Sequence, residues 1–134
     1  MAKKVSRTGK FHKRKKILIT GITGFVGSHM ADLMVSEGHE VYGLSRNISS
    51  KKNIQHIEGK VNLFEADILK RRILLDVLKE VEPRFIFHFA AQSSNIDSFK
   101  DPVGTFKINV LGTLNLFEAV REAKIDPVIV IAGS

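Results

Sequence analysis

The sequence predicts an α/β domain built on a doubly wound parallel sheet with helices on both faces. Three observations lead there. Short apolar runs alternate with segments of helical periodicity through residues 16–134, the pattern of βαβ units. Three glycines, Gly21, Gly24 and Gly27, follow the first apolar run and open an amphipathic stretch. Polar clusters fall at the carboxyl ends of successive predicted strands, where open parallel sheets bind their ligands.

Residues 16–20 read as the first strand and residues 25–37 as the first helix, with Val26, Met30, Leu33 and Met34 on one face and Gly38 as its stop. Residues 40–44 form a second strand, followed by a polar loop through 53. A third strand, 61–66, ends at Asp67. Residues 69–82 read as a helix because Leu69, Ile73, Leu74, Val77, Leu78 and Val81 recur at three and four, and Pro83 closes it. Residues 84–89 make a fourth strand, apolar on both faces at its end, as suits a central parallel strand. A long helix from about 102 to 124 places Leu111, Leu114, Phe117 and Val120 at core spacing, and a fifth strand covers 128–132.

The glycine triplet carries chemistry. A strand that turns tightly into a helix N-terminus seats a dinucleotide diphosphate. The first glycine permits the turn, the second lets backbone approach phosphate, and the third lets helix and strand pack closely. The backbone amides at the helix start then face the anion, and the helix dipole favours it. A glycine turn without a ligand is the alternative. The spacing is G-x-x-G-x-x-G rather than G-x-G-x-x-G, which points to one branch of the Rossmann-type folds.

Composition narrows the class further. A chain of 134 residues, 43% hydrophobic, is one domain with a real core. No apolar run approaches membrane-spanning length, and no apolar h-region follows the basic start. With no cysteine, disulfides and thiolate metal sites are excluded and a cytoplasmic setting fits. Five histidines include no pair at metal-ligand spacing, so no metal is expected. The net charge of +7 belongs to the N-terminus, where residues 1–16 hold eight basic side chains and no acid. The remainder carries 13 basic and 14 acidic residues, a balance of −1. Residues 1–15 therefore read as a basic, disordered leader or an expression remnant, with nucleic-acid contact the minority reading. Phe11 is its only ring, too little for base stacking.

The second strand runs into Gly43-Leu44-Ser45-Arg46 with no acid. An acid there would hydrogen-bond the ribose of NAD, whereas a cation with a hydroxyl suits a 2′-phosphate, so NADP is preferred over NAD. Arg46 could also be a plain surface arginine. Asp67, followed by Ile68, could accept from the adenine amino group, cap the next helix, or do both. The segment His88-Phe89-Ala90-Ala91-Gln92-Ser93 ends the fourth strand. Its small residues let backbone approach the coenzyme, and Gln92 and Ser93 are placed to meet a substrate. His88 reads as structural rather than as a catalytic base. Asn109, unfavourable within a helix, implies a specific buried hydrogen bond.

Together the glycine triplet, Asp67-Ile68, residues 88–93 and Asn-Val-Leu-Gly-Thr-Leu-Asn-Leu-Phe-Glu-Ala-Val at 109–120 resemble the extended short-chain dehydrogenase/reductases. Within them the likeness is to nucleotide-sugar epimerases and dehydratases, above all the GDP-mannose 4,6-dehydratases and the related GDP-6-deoxy-4-keto-mannose reductases. Ala90-Ala91-Gln92-Ser93, Asp101-Pro102 and Arg46 lean that way. The resemblance implies a Rossmann domain whose cofactor site includes Gly21, Thr23, Gly24, Phe25, Val26, Gly27, Arg46, Asp67, Ile68, Phe89, Ala90, Ala91 and Gln92, with Ser93 toward the sugar nucleotide. It implies hydride transfer between NADP and C4 of a GDP-hexose, a lyase or epimerase chemistry, and dimers formed through helices that include one beyond this sequence. The family's catalytic set is a Ser or Thr past the fifth strand, here Ser134, with a Tyr-x-x-x-Lys pair further on. That pair is absent, and the only tyrosine is Tyr42 in the second strand. The chain is thus expected to be the cofactor-binding part of a longer enzyme, incomplete at its C-terminal end and inactive alone. A non-catalytic dinucleotide-binding module, or one that pairs with a complementary C-terminal chain, is the alternative.

Overall fold

A computed structural model describes residues 13–132. Five parallel strands lie in the order β3-β2-β1-β4-β5, namely β1 (Lys16–Thr20), β2 (Glu40–Ser45), β3 (Val61–Glu65), β4 (Phe85–His88) and β5 (Val128–Ile131). The order reverses between β2-β1 and β4, so a crevice opens above the carboxyl end of β1. In register there are Thr20 beside Leu44 on one side and His88 on the other.

Two apolar cores sandwich the sheet. On one face Leu18, Leu44 and Ile86 pack against α2 (Arg71–Val81) and α5 (Gly112–Ala123) through Leu74, Leu75, Leu78, Leu116 and Ala119. On the other, Ile17, Ile19 and Val41 meet Ala31 of α1 (Phe25–Ser36) and Ile54 and Ile57 of a 3-10 segment, Lys52–Lys60. That segment was not expected; Ile54 and Ile57 are three apart, which suits three residues per turn.

Two short helices precede α5. Ser94 caps α3 (Asn95–Lys100), its Oγ accepting from the Asp97 amide at 3.3 Å. Asp101 caps α4 (Pro102–Phe106), accepting from the Gly104 amide at 2.9 Å with Pro102 at the first helical position. A single π turn, Lys107–Leu111, joins α4 to α5 without a break.

The expected core face of the long helix is corrected. Leu111, Leu114, Phe117 and Val120 recur strictly at three, so at about 100° per residue the first and last lie about 180° apart around the axis. Gly112, Leu116 and Ala119 face the sheet, with Ile108 and Val120 partly buried, whereas Leu111, Leu114 and Phe117 are exposed. At Gly112 a Cβ would overlap the tip of the Ile68 side chain, so glycine lets Ile68 pack closely on α5. The first helix is corrected too. Gly27, Ser28 and Ala31 are its buried residues, Met30 and Met34 are partly buried, and Val26 and Leu33 face outward. On α2, Leu74, Val77, Leu78 and Val81 are core as expected, joined by Leu75, while Leu69 and Ile73 lie outside. No helix among the described residues is long and apolar enough to cross a membrane.

Candidate functional site

The glycine loop is built by close packing. Gly21 has φ +70, and a Cβ on it would meet the Ala90 amide nitrogen at 2.8 Å and the Phe89 carbonyl carbon at 2.9 Å. A Cβ on Gly27 would overlap the Gly21 carbonyl oxygen and sit 2.9 Å from Ile22 Cα. Glycine at both positions thus lets β1, the start of α1 and the end of β4 converge. The Gly21 amide donates to the Leu44 carbonyl at 2.8 Å and the Gly24 amide to the Gly21 carbonyl at 3.0 Å, which closes the turn.

Gly24 is the N-cap of α1 and offers no side chain to it. The first-turn amides of Phe25 and Val26 therefore have no capping partner, and the partial positive charge of a 12-residue helix stands behind them. Phe25 is 75% exposed beside this opening and packs on His29. Thr23 Oγ donates to Ser45 Oγ at 3.0 Å, because the Ser45 hydroxyl is donated to the Asn47 carbonyl. Asn53 of the 3-10 segment donates to the Thr23 carbonyl at 2.9 Å. Loop and β2 end are thus braced together.

Arg46 follows the β2 end and is exposed. With Glu65, Ala66, Asp67, Lys70 and Ile73 it lines a groove open to solvent. Asp67 Oδ1 accepts from the Leu69 amide at 2.9 Å. It therefore caps the turn 67–70, not the next helix, which begins at Arg71 with Lys70 as an N-cap lacking a side-chain bond. Asn115 of α5 holds the Ile68 carbonyl at 3.0 Å.

The far side of the crevice is the segment 88–93. Asn109, inside the π turn, accepts from the Gln92 amide at 2.8 Å and donates to the Gln92 carbonyl at 3.1 Å. The expected hydrogen bond of Asn109 exists, but it is exposed rather than buried. Ala91 and Ser93 are exposed on the same segment. His88 is 4% exposed and bonded to Thr20 and Thr113. Burial lowers its pKa below the ordinary imidazole value.

Gly21 packs on Phe89 and Ala90, and Thr23 is bonded to the β2 end, so the loop 21–27 and the start of segment 89–92 lie side by side at the carboxyl ends of β1 and β4. Arg46 and Asp67 line the groove at the β2-β3 end, whereas the Ile68 side chain is packed in the core against Gly112. Ser134 lies outside the described residues, as does most of the basic leader. Tyr42 offers no substitute base. Its hydroxyl donates to Glu40, and that bond, with burial and the carboxylate charge, raises its pKa, the reverse of what a tyrosinate base needs. Sequence reasoning missed Asn53, Glu65 and Lys70. The Ile54/Ile57 spacing hints at the 3-10 segment that carries Asn53, but its bond to Thr23, 30 residues away, has no local signal, and neither do Glu65 and Lys70.

A parallel 3-2-1-4-5 sheet with this loop at its first βα junction defines a Rossmann-type nucleotide-binding domain. Residues 18–134 match the family model described as GDP-mannose 4,6 dehydratase. The chain belongs to that family. It is 39% identical over 116 residues to GDP-mannose 4,6-dehydratase of Yersinia enterocolitica, covering 80% of this chain and 31% of that protein. It is 35% identical over 126 residues to GDP-mannose 4,6 dehydratase 2 of Caenorhabditis elegans, covering 86% of this chain and 33% of the relative. The chain thus spans about a third of the length of the curated relatives it matches. Among solved structures it is similar to UDP-glucose-4-epimerase of Stenotrophomonas maltophila with bound NAD and formylated UDP-arabinopyranose, with TM-score 0.81, 28% identity, and coverage of 90% of this chain and 37% of that one. It is also similar to the Thermus thermophilus UDP-glucose 4-epimerase in complex with NAD, with TM-score 0.73, 35% identity, and coverage of 83% and 35%.

Proposed function

We propose that this chain is the NADP-binding N-terminal portion of a sugar-nucleotide dehydratase or epimerase of the GDP-mannose 4,6-dehydratase type, without turnover of its own. The observation that carries the reading is the uncapped start of α1, held by Gly21 and Gly27 against the carboxyl ends of β1 and β4. Free helix-start amides with the dipole behind them fit a diphosphate. When bound, the nicotinamide coenzyme would supply hydride transfer at the sugar. This chain's residues bind and orient it. Thr23 to Val26 face the diphosphate, Arg46 the 2′-phosphate, Asp67 and Ile68 the adenine, and residues 89–92 the nicotinamide end, with Ser93 toward the sugar.

The absence of Tyr-x-x-x-Lys from the 134 residues removes the group that would take the sugar hydroxyl proton. That supports inactivity alone. A thermal-shift titration with NADP, NAD and GDP-mannose tests the reading. NADP is expected to raise the melting temperature at lower concentration than NAD, and GDP-mannose alone to leave it unchanged. A folded preparation stabilised by neither coenzyme refutes the binding reading, and dehydratase turnover by pure, length-verified chain refutes the inactivity.

A partner-pairing module is the second reading, favoured by the outer edge strand. β5 pairs only with β4 among the described strands, and Val128 and Val130 are more than 40% exposed. Adding a chain that carries the family's C-terminal part separates the two: restored turnover favours the enzyme half, and binding without turnover favours the module.

A further inference from the structure

The segment 89–92 is fastened at both ends. At its start, Thr20 Oγ accepts the Ala90 N–H at 3.1 Å and shares the Phe89 N–H, at 3.1 Å, with the Thr20 carbonyl at 3.2 Å. At its end, the Asn109 amide grips both polar groups of Gln92. Between the two fastenings stands His88, whose Nδ1 is 2.7 Å from Thr20 Oγ and whose Nε2 is 3.0 Å from Thr113 Oγ.

The partners around the ring favour one proton placement. Thr113 Oγ lies 2.8 Å from the Asn109 backbone carbonyl, which takes its hydrogen, so toward the ring it accepts, and Nε2 carries the proton. Thr20 Oγ already receives backbone N–H groups, so its own hydrogen is the one left for Nδ1, which must be bare. A ring protonated at Nδ1 would bring a further donor to Thr20 and leave the Thr20 hydrogen without an acceptor. An unmet buried donor of that kind is costly.

The geometry points to His88, as the neutral Nε2–H tautomer, being the positioning residue that couples the two fastenings of segment 89–92 and so holds the nicotinamide end of the crevice in shape before any coenzyme arrives. The ring does not itself touch the proposed ligand. It acts through Thr20, which is also the residue before Gly21, and through Thr113 and Asn109 on the π turn. This inference rests on the coenzyme-site reading only for its effect on affinity; the tautomer and the order of the segment do not depend on it.

The test uses the full 134-residue chain. Long-range proton–nitrogen correlation on histidine-labelled protein at neutral pH is expected to show His88 as the Nε2–H tautomer. An Nδ1–H ring or an imidazolium overturns the proposal. Thr113→Val removes the hydroxyl that accepts from Nε2 at nearly constant volume. It is expected to speed amide exchange at Ala90 and Gln92 and to weaken NADP binding about three- to tenfold, the effect of one hydrogen bond. Thr113→Ser, which returns the hydroxyl, is expected to restore both. Exchange and affinity unchanged in Thr113→Val, or a loss that Thr113→Ser does not rescue, overturns the proposal. If the unsubstituted chain binds neither NADP nor NAD, the coenzyme reading falls, and the tautomer and exchange measurements still decide for or against the His88 coupling.

Discussion

Gly27→Ala places a methyl group where the Gly21 carbonyl oxygen stands, with the Gly21 carbonyl carbon at 2.8 Å and Ile22 Cα at 2.9 Å. All three are backbone atoms, so no flexible side-chain tip can yield, and either the loop or the start of α1 must move. Forcing a methyl group into such packing costs about 1–3 kcal/mol. Alanine's better helix propensity returns up to about 1 kcal/mol. The net loss is then about 0–3 kcal/mol, or a fall in melting temperature of up to about 15 °C for a domain of this size. Coenzyme affinity should suffer more than stability, because the displaced atoms are those that aim the helix-start amides. Loss of two charge-assisted bonds predicts a weakening of about a hundredfold or more. Thermal unfolding and an NADP titration of the same preparation read both effects. Gly59→Ala is the control, since nothing lies within 4 Å of a Cβ there; it should leave affinity unchanged and the melting temperature unchanged or slightly raised. A Gly27→Ala protein that melts and binds NADP like the unsubstituted chain would refute the reasoning.

Other outcomes follow from the same structure. Arg46→Ala should weaken NADP by about ten- to a hundredfold, the worth of a charged hydrogen bond, and leave NAD within about twofold; equal losses for both coenzymes would remove the 2′-phosphate role. Leu116→Ala, in the core beneath the π turn, should cost about 2–5 kcal/mol in denaturant unfolding, whereas Phe117→Ala, 41% exposed, should cost under about 1 kcal/mol. The reverse ranking would mean that the opposite face of α5 is the buried one. His88 contributes to pH dependence with a fixed sign. Its folded pKa lies below 6.5, so the unfolded chain takes up that proton first. The stabilisation is full above pH 6.5, shrinks as pH falls through that value, and levels off once the folded ring is also charged. Melting curves between about pH 7.5 and 5 should show the fall, and His88→Gln should flatten its share.

Much of the fold was legible because its signals are local. Apolar runs and three-four spacing marked all five strands, α1 and α2, and strand–glycine–helix order located the crevice. The inward face of α5 was not legible. Leu111, Leu114, Phe117 and Val120 recur at three, a step that drifts about 60° around a 3.6-residue helix, and Leu111, Leu114 and Phe117 do not enter the core; the π turn at Lys107–Leu111 has no composition signature. Asn109 was the one hint, a poor helix former with a reason to be there, and that reason is the Gln92 backbone 17 residues away. The link from Thr20 through His88 to Thr113 joins residues 68 and 25 positions apart, and only the assembled sheet brings them together. The place of Arg46 and Asp67 at strand ends was legible because strand ends are predictable; that Asp67 caps its own turn depended on where α2 begins.

The central claim is that the backbone amides opening α1 receive a dinucleotide diphosphate. An amide NMR titration of the folded chain with NADP addresses it residue by residue. Saturable shifts at Thr23, Gly24, Phe25 and Val26, accompanied by Arg46 and the segment 89–92, are the predicted result. Spectra of a folded protein in which those amides stay fixed with both NADP and NAD would contradict it.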